Sequence, residues 1–526
     1  MRGEHMRTNS SVLCCGLVPL LWLCAGCGAD GFERTGVAVD SLEWKEGAKL
    51  VAPEGTKEAE FGVSVAIDGD IAIVGAHSDD GIAENAGAAQ VFVRKDNVWL
   101  PQQKIVASDA EATDGFGYAV AVSGDIAIIG APNEDDPAEN AGAAYIFVRE
   151  GDAWKEQQKL VSPNPEFIGS FGTSVAISGN LVLVGASRED GLGFDSGAAY
   201  VFVRDGSGTM WGLQKKLLPA DGAPSHFGSA VALSANAAVV GAPRDNAGMP
   251  VSVGAAYVFD RAEGAWPLEQ ILVADDAGEQ DYFGASVAIS GDTTLVGATG
   301  DDDVAEDGGA AYVFSRVDNV WSAQQKLVPS APEKFGRFGM ATSVAGDVAL
   351  VGTYLSGPNV TGAGSAYVFV RESDVWVPDH RLLASDGADG DFFGIAVALS
   401  EGTAIVGAPG DDNDKGENAG SVYTFGALIA SGANGAGGMG GAGGFDGVGG
   451  AGGAGARPNQ ATIGDDSAMM TGGCGACTAA GGSEETRGLM AAMMALGMAF
   501  VGGRRRSRLN ARGRRGSSSD RAARRG

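Results

Sequence analysis

A Phe-Gly pair recurs at Phe61, Phe116, Phe171, Phe227, Phe283, Phe338 and Phe393, every 55 or 56 residues. A period of that length marks a chain built from one supersecondary unit that cannot bury its apolar face alone and stacks on copies of itself. Fourteen residues after each Phe stands a glycine: Gly75, Gly130, Gly185, Gly241, Gly297, Gly352 and Gly407. A segment of the type Gly-Ala-Ala-Tyr-Val-Phe then starts at Gly87, Gly142, Gly197, Gly254, Gly309, Gly364 and Gly420. Six of the seven units continue to a tryptophan, at Trp99, Trp154, Trp211, Trp266, Trp321 and Trp376.

Each unit reads as four strands. In the second, Phe116–Ser123 and Asp125–Ala131 flank a Ser-Gly-Asp turn, Ala143–Arg149 is the third strand, and Trp154–Val161 the fourth. The first two strands are rich in Ala, Gly, Ser, Val and Ile, which suits strands converging on an axis. Tyr, Phe and Trp come later, where wider gaps between blades need filling. Near-continuous apolar runs imply that both faces of each sheet are covered. The seventh unit ends at Phe425 without a fourth strand, while Trp44–Val51 matches a fourth strand ahead of the first Phe-Gly. The fold class is therefore all-β: a seven-bladed propeller whose N-terminal strand completes the last blade and protects a bare edge.

These residues resemble FG-GAP repeats, as in integrin α-subunit propellers and bacterial surface proteins, over roughly 40–426. The family's calcium loop would lie between the Phe-Gly and the following glycine. Here that place holds tight turns such as Asp68-Gly-Asp and Ser123-Gly-Asp, too short to supply six to eight oxygens. The integrin-type site is expected to be absent.

The formal charge is −29 and uneven. Ten Arg oppose one Asp from Arg504 onward, and two Arg oppose five acids over 427–503, leaving the body at about −35. Such a body excludes nucleic acid as a partner, since phosphate binding needs cationic side chains. All six cysteines lie near the ends, so no disulfide holds the repeats.

The ends carry addresses. Residues 1–27 read as an export signal, with Arg2 and Arg7 before an apolar run. The run closes in Leu23-Cys-Ala-Gly-Cys27, which resembles a bacterial lipobox with Cys27 as the lipidated residue; ordinary signal-peptidase cleavage is the alternative. Residues 28–39 are a short linker, and 427–473 a Gly/Ala-rich spacer. Residues 474–526 hold Cys474 and Cys477, an apolar run from Gly488 to Gly503 and an Arg-rich end. This order resembles the C-terminal sorting tails of myxobacterial surface proteins, and that resemblance makes Cys474 or Cys477 a second candidate for surface retention. A short membrane anchor is the plainer reading. Both imply an exported chain at the outer membrane or cell surface, tethered through its termini, with release as an alternative.

If strands run from inside to outside, only tight turns occupy one face, and every long acidic loop falls on the other. Candidate metal-binding carboxylates there are Asp135, Asp136, Asp302, Asp303, Asp386, Asp389, Asp391, Asp411 and Asp412. Their spacing gives no complete ligand set, so weak Ca2+ binding is the most these loops promise. Solvated acidic turns that keep the protein soluble are the plainer reading. No cofactor is expected. His5 lies in the signal, His77, His226 and His380 each occupy a different repeat position, and all read as surface or loop residues. No Cys nucleophile or metal-type Cys/His spacing occurs in the body, so no catalytic residue is assigned. The expected function is a monomeric binding, adhesion or scaffold module offering its loop face to a surface protein or glycan. A hydrolase or quinoprotein-like enzyme at the axial funnel, and a passive envelope component, are the alternatives. The sixth unit, with Thr353-Tyr-Leu and an uncharged loop, departs most from the repeat.

Overall fold

A computed structural model describes residues 42–249, 251–356, 362–400 and 402–429. Twenty-eight strands among them form seven separate antiparallel sheets of four. Within a blade the strands lie side by side in chain order, as in Ser64–Asp68, Ile71–Ala76, Ala88–Lys95 and Val98–Ile105. The innermost strands touch one another in sequence around the ring, and Val397–Ser400 of the last blade meets Ser64–Asp68 of the first. The ring is therefore closed. Leu42–Leu50 pairs antiparallel with Ser421–Ile429, Leu42 standing opposite Ile429 and Leu50 opposite Val422. The N-terminal strand is thus the outer strand of blade 7.

The Phe-Gly pair packs the blades. Phe116 is wholly buried, with its ring centroid 5.5 Å from Tyr145 and 6.0 Å from Phe147 on the third strand. Burying side chains of this size is worth about 1.5–3 kcal/mol each, and the same trio recurs around most of the ring. The repeated glycine has a steric cause. A Cβ on Gly75 would lie 1.9 Å from the carbonyl oxygen of Gly117, the Phe-Gly glycine of the next blade. Gly117 itself has φ +93, a conformation other residues rarely adopt.

A second device joins outer strands. Each carries a β-bulge: Val91 faces Gln103 and Phe92 faces Pro101, leaving Gln102 extra. The bulge turns consecutive side chains toward the next blade. Gln103 donates to the Trp154 carbonyl at 2.9 Å and accepts the Trp154 amide at 2.8 Å, while Gln102 accepts the indole N–H at 3.2 Å. Equivalent clamps hold Trp211, Trp321 and Trp376. Trp266 makes only the indole bond, its N–H donating to Gln214 Oε1 at 2.8 Å. Blade 7 has no clamp on either side: Asp379 and His380 replace the pair before Trp44, and Gly47 and Ala48 replace it before Trp99. The buried Trp44 indole nitrogen has no hydrogen-bond partner.

The face of tight turns departs from expectation in blade 4. There the connection between the third and outer strands carries one turn of 3-10 helix, Ala262–Gly264. It borders a shallow polar hollow with Gln214, Asn236 and Asp260.

Candidate functional site

The acidic loops are organised from within. Four residues beyond each repeated glycine stands an acid, Asp79, Glu134, Glu189, Asp245, Asp301 or Asp411, with Ser356 in blade 6; all seven are buried. Their carboxylates fold the loop by accepting its own amides, as Asp79 does from Gly81 at 2.9 Å and Glu134 from Asp136 at 3.0 Å. The outer strand then supplies a cation. Lys104 reaches Asp79 at 2.7 Å, Lys159 reaches Glu134 at 2.7 Å, Lys216 reaches Glu189 at 2.5 Å and Lys49 reaches Asp411 at 2.8 Å. Third-strand tyrosines add hydroxyl donors, Tyr145 to Asp109 at 2.9 Å and Tyr423 to Asp386 at 2.6 Å. Partial burial works against the charges on Asp109, Asp276 and Asp386. Hydrogen bonds from lysine and tyrosine outweigh it and hold all three below the usual carboxylate range.

The candidate metal residues divide by this scheme. Asp135, Asp302 and Asp412 each accept a backbone amide later in their own loop, from Asn140 at 2.7 Å, Asp307 at 2.5 Å and Asn418 at 2.8 Å. Asp386 and Asp411 share Lys49, and Asp391 is buried beneath them, accepting the Ala388 amide at 2.6 Å. Asp136 is exposed, 3.9 Å from Lys159. Asp389 is exposed and has no hydrogen-bonded or ion-paired neighbour among the described residues. Asp303 belongs to the closest carboxylate group, in which oxygens of Asp276, Asp301 and Asp303 lie within 4.8 Å of one another. The Lys326 ammonium already stands among them, 2.8, 2.8 and 2.6 Å away. Cys27, Cys474 and Cys477 lie outside the described residues. Among the described residues no helix is long and apolar enough to cross a membrane.

A different set of residues gathers around the axis. The residue before each Phe-Gly enters an innermost strand from the loop face, and all seven have positive φ: Glu60 (56), Gly115 (68), Ser170 (52), His226 (53), Tyr282 (55), Arg337 (58) and Phe392 (57). Six of these are not glycine, although glycine would relieve the strain. The side chains differ in every blade. A second rim position, two beyond the repeated glycine, pairs with the first. His77 Nε2 lies 3.2 Å from Glu60 Oε2, and the His77 ring stands edge-on to Tyr118 of the next blade at 5.6 Å. Burial, with help from Glu58, pushes the Glu60 carboxyl up to about 7, and burial pushes His77 down to about 4. Their spacing is that of an ion pair, but burial favours the uncharged forms.

In blade 4, His226 meets Arg244 at 3.4 Å and is pushed down to about 4 by burial, then by Arg244 and Arg188. In blade 6, Tyr354 packs against Phe392 of the next blade at 5.9 Å. Reading the histidines as unrelated surface residues therefore misses two of them. His77 and His226 both stand at the rim, reached from different repeat positions. The signal was the loss of the Gly-Ala-Pro form at His77 and the non-glycine residues before Phe-Gly.

The FG-GAP repeat family model matches this chain seven times, over residues 44–92, 99–147, 154–202, 211–259, 266–314, 321–369 and 376–425. The matches cover more than half of the chain. Each begins at the outer-strand Trp and ends at or near a third-strand aromatic residue, one strand out of step with the blade. No curated protein matches the chain.

Proposed function

The chain belongs to the FG-GAP repeat family, and from that membership we propose a binding, adhesion or scaffold module that offers its loop face to a surface protein or glycan. One observation carries the reading: the scaffold repeats sevenfold, whereas the strained rim positions around the axis carry a different side chain in each blade. Diversity held on a rigid frame is how loop-bearing faces generate specificity. Most of the acidic residues in the loops are engaged by lysines, tyrosines and backbone amides, so they support the loops. Calcium binding at them is proposed to be weak, and no cofactor is invoked. Nucleic acid is not proposed as a partner.

Export fits the signal-like N-terminus, and retention at the outer membrane or cell surface through Cys27, or through the tail with Cys474 and Cys477, completes the proposal. The test is capture of envelope material by the full chain. Rim variants such as Arg337→Ala and Tyr282→Ala should reduce capture, and turn-face variants such as Asp125→Ala should not. Equal capture by all three would refute a loop-face module.

Enzymatic action at the funnel has one observation in its favour, the Glu60–His77 pair at 3.2 Å with its opposed proton affinities. Glu60→Gln against a panel of glycoside and ester substrates tests it; activity unchanged by that substitution would remove the pair from consideration.

A further inference from the structure

Blade 6 keeps the donors of the loop core and lacks their acceptors. In five blades a third-strand tyrosine gives its hydroxyl to a carboxylate. Tyr145 reaches Asp109 at 2.9 Å, Tyr200 reaches Glu189 and Tyr257 reaches Asp245 at 2.5 Å, Tyr312 reaches Asp301 at 2.7 Å and Tyr423 reaches Asp386 at 2.6 Å. Tyr367, the blade 6 member, is 2 % exposed, and its hydroxyl has no hydrogen-bond partner among the described residues. Both acids that would meet it are replaced. Ser356 stands where blade 7 has Asp411, and Ala331 where it has Asp386.

The cation remains. Arg381 takes the place of Lys49, its guanidinium 5.4 Å from the centre of the Tyr367 ring, as the Lys49 ammonium is 5.2 Å from that of Tyr423. Its Nη2 donates to Glu333 and to Ser365, both at 3.2 Å, whereas the buried Nε has no acceptor among the described residues. Ser365 also shares a 2.7 Å bond with Ser356. Burial raises the Tyr367 phenol, and Arg381 and Ser365 offset part of that rise, yet Ser365 does not reach hydrogen-bond geometry with it. Buried donors without acceptors are costly, and a carboxylate is the acceptor this fold uses at the same place elsewhere.

Blade 7 shows the completed arrangement. Ser421, the equivalent of Ser365, donates to Asp411, which also accepts from Lys49 and Tyr423. Serine reaches less far than aspartate, so in blade 6 no side chain meets the Tyr367 hydroxyl or Arg381 Nε. We infer that blade 6 binds one small carboxylate, held by the Tyr367 hydroxyl, Arg381 Nε and the hydroxyls of Ser356 and Ser365. A single negative charge beside Arg381 and Glu333 reproduces the balance of blade 7, where Lys49 stands between Asp386 and Asp411. Arg381 and Glu333 are partly exposed, so the ligand approaches from their side. The site goes beyond the loop-face reading and does not depend on it.

Thermal melting of the full chain in sodium acetate or formate, against sodium chloride of equal ionic strength, tests the assignment. Both carboxylates should raise the melting temperature saturably, by about 1–2 °C beyond chloride. Tyr367→Phe keeps the ring and removes the donor, and should weaken the apparent affinity roughly tenfold. Ser356→Asp supplies the carboxylate from the chain itself, so it should melt above the native protein and lose the acetate response. A parallel series with N-acetyl-aspartamide separates the sources: a response to acetate and formate alone assigns the site to free acids, and a response to all three extends it to an acidic side chain. No response beyond chloride in the native chain, or an equal response in Ser356→Asp, overturns the assignment.

Discussion

Lys49 and Asp386, 337 positions apart in sequence, meet with Nζ 2.7 Å from Oδ2. The same ammonium lies 2.8 Å from Asp411 and 5.2 Å from the centre of the Tyr423 ring. A residue of the first strand therefore completes the ionic core of the last blade, and ring closure has an electrostatic component beside its backbone ladder.

Lys49→Ala should accordingly destabilise the chain out of proportion to its exposure. It would leave Asp411, whose side chain is 5 % exposed, without its cation. Removing one partner of a buried pair costs up to about 3–5 kcal/mol; with Lys49 partly open to water, roughly 2 kcal/mol is the expectation in chemical denaturation. Lys57→Ala, which removes an exposed pair with Glu58 and Glu417, should leave the midpoint unchanged. Equal effects of the two would contradict the role given to Lys49.

The missing amide clamps of blade 7 suggest a repair. Replacing Asp379 and His380 with glutamines should let the bulged pair reach Trp44 as Gln324 and Gln325 reach Trp376. Satisfying the Trp44 indole and backbone should add about 1–2 kcal/mol. The comparison to make is the denaturation midpoint of the double variant against the native chain. A lower midpoint would mean that the blade 6–7 seam is packed differently from the others.

Asp114 and Asp391 predict a pH dependence of definite sign. Burial first, and neighbouring acids after it, push both up to about 6 from an unfolded value of 3.8. Such a carboxyl binds its proton more tightly in the folded state. Its contribution to stability is complete below about pH 4 and is lost as pH rises through about 6. Asp114→Asn imitates the protonated form, so it should melt above the native chain near pH 7.5, with the gap closing as pH falls toward 4. A gap that is constant with pH would assign the effect to packing.

Calcium should be excluded from the tightest carboxylate group by Lys326. The native chain is expected to show little change in melting temperature on adding calcium at about millimolar concentration, the range of weak extracellular sites. Lys326→Gln vacates the centre of Asp276, Asp301 and Asp303 and should gain a calcium-dependent rise. A large rise in the native chain would show that the ammonium does not compete for that place.

The architecture was legible because its signals are periodic: each Phe-Gly, each repeated glycine and the displaced Trp44 fall where a blade needs them. The clamps were equally visible, as Gln-Gln-Lys at 102–104, 157–159 and 324–326, but nothing local says that these side chains cross to another blade. The acids were recognised and their role was not. A carboxylate free for a metal and one held by a lysine some 25 residues away look alike in sequence. The rim was obscured for the opposite reason: its members share a place in space and no residue type, so Glu60 and His77 become neighbours only when the inner and second strands pair.

The pairing of Leu42 with Ile429 has a geometric consequence. Outer strands start on the face of tight turns and third strands finish there, so the chain enters and leaves the ring side by side on the face opposite the loops. If either end is tethered as proposed, the tether pulls from beneath. The rim around the axis then points outward, and switching the attachment from one end to the other would leave its heading unchanged.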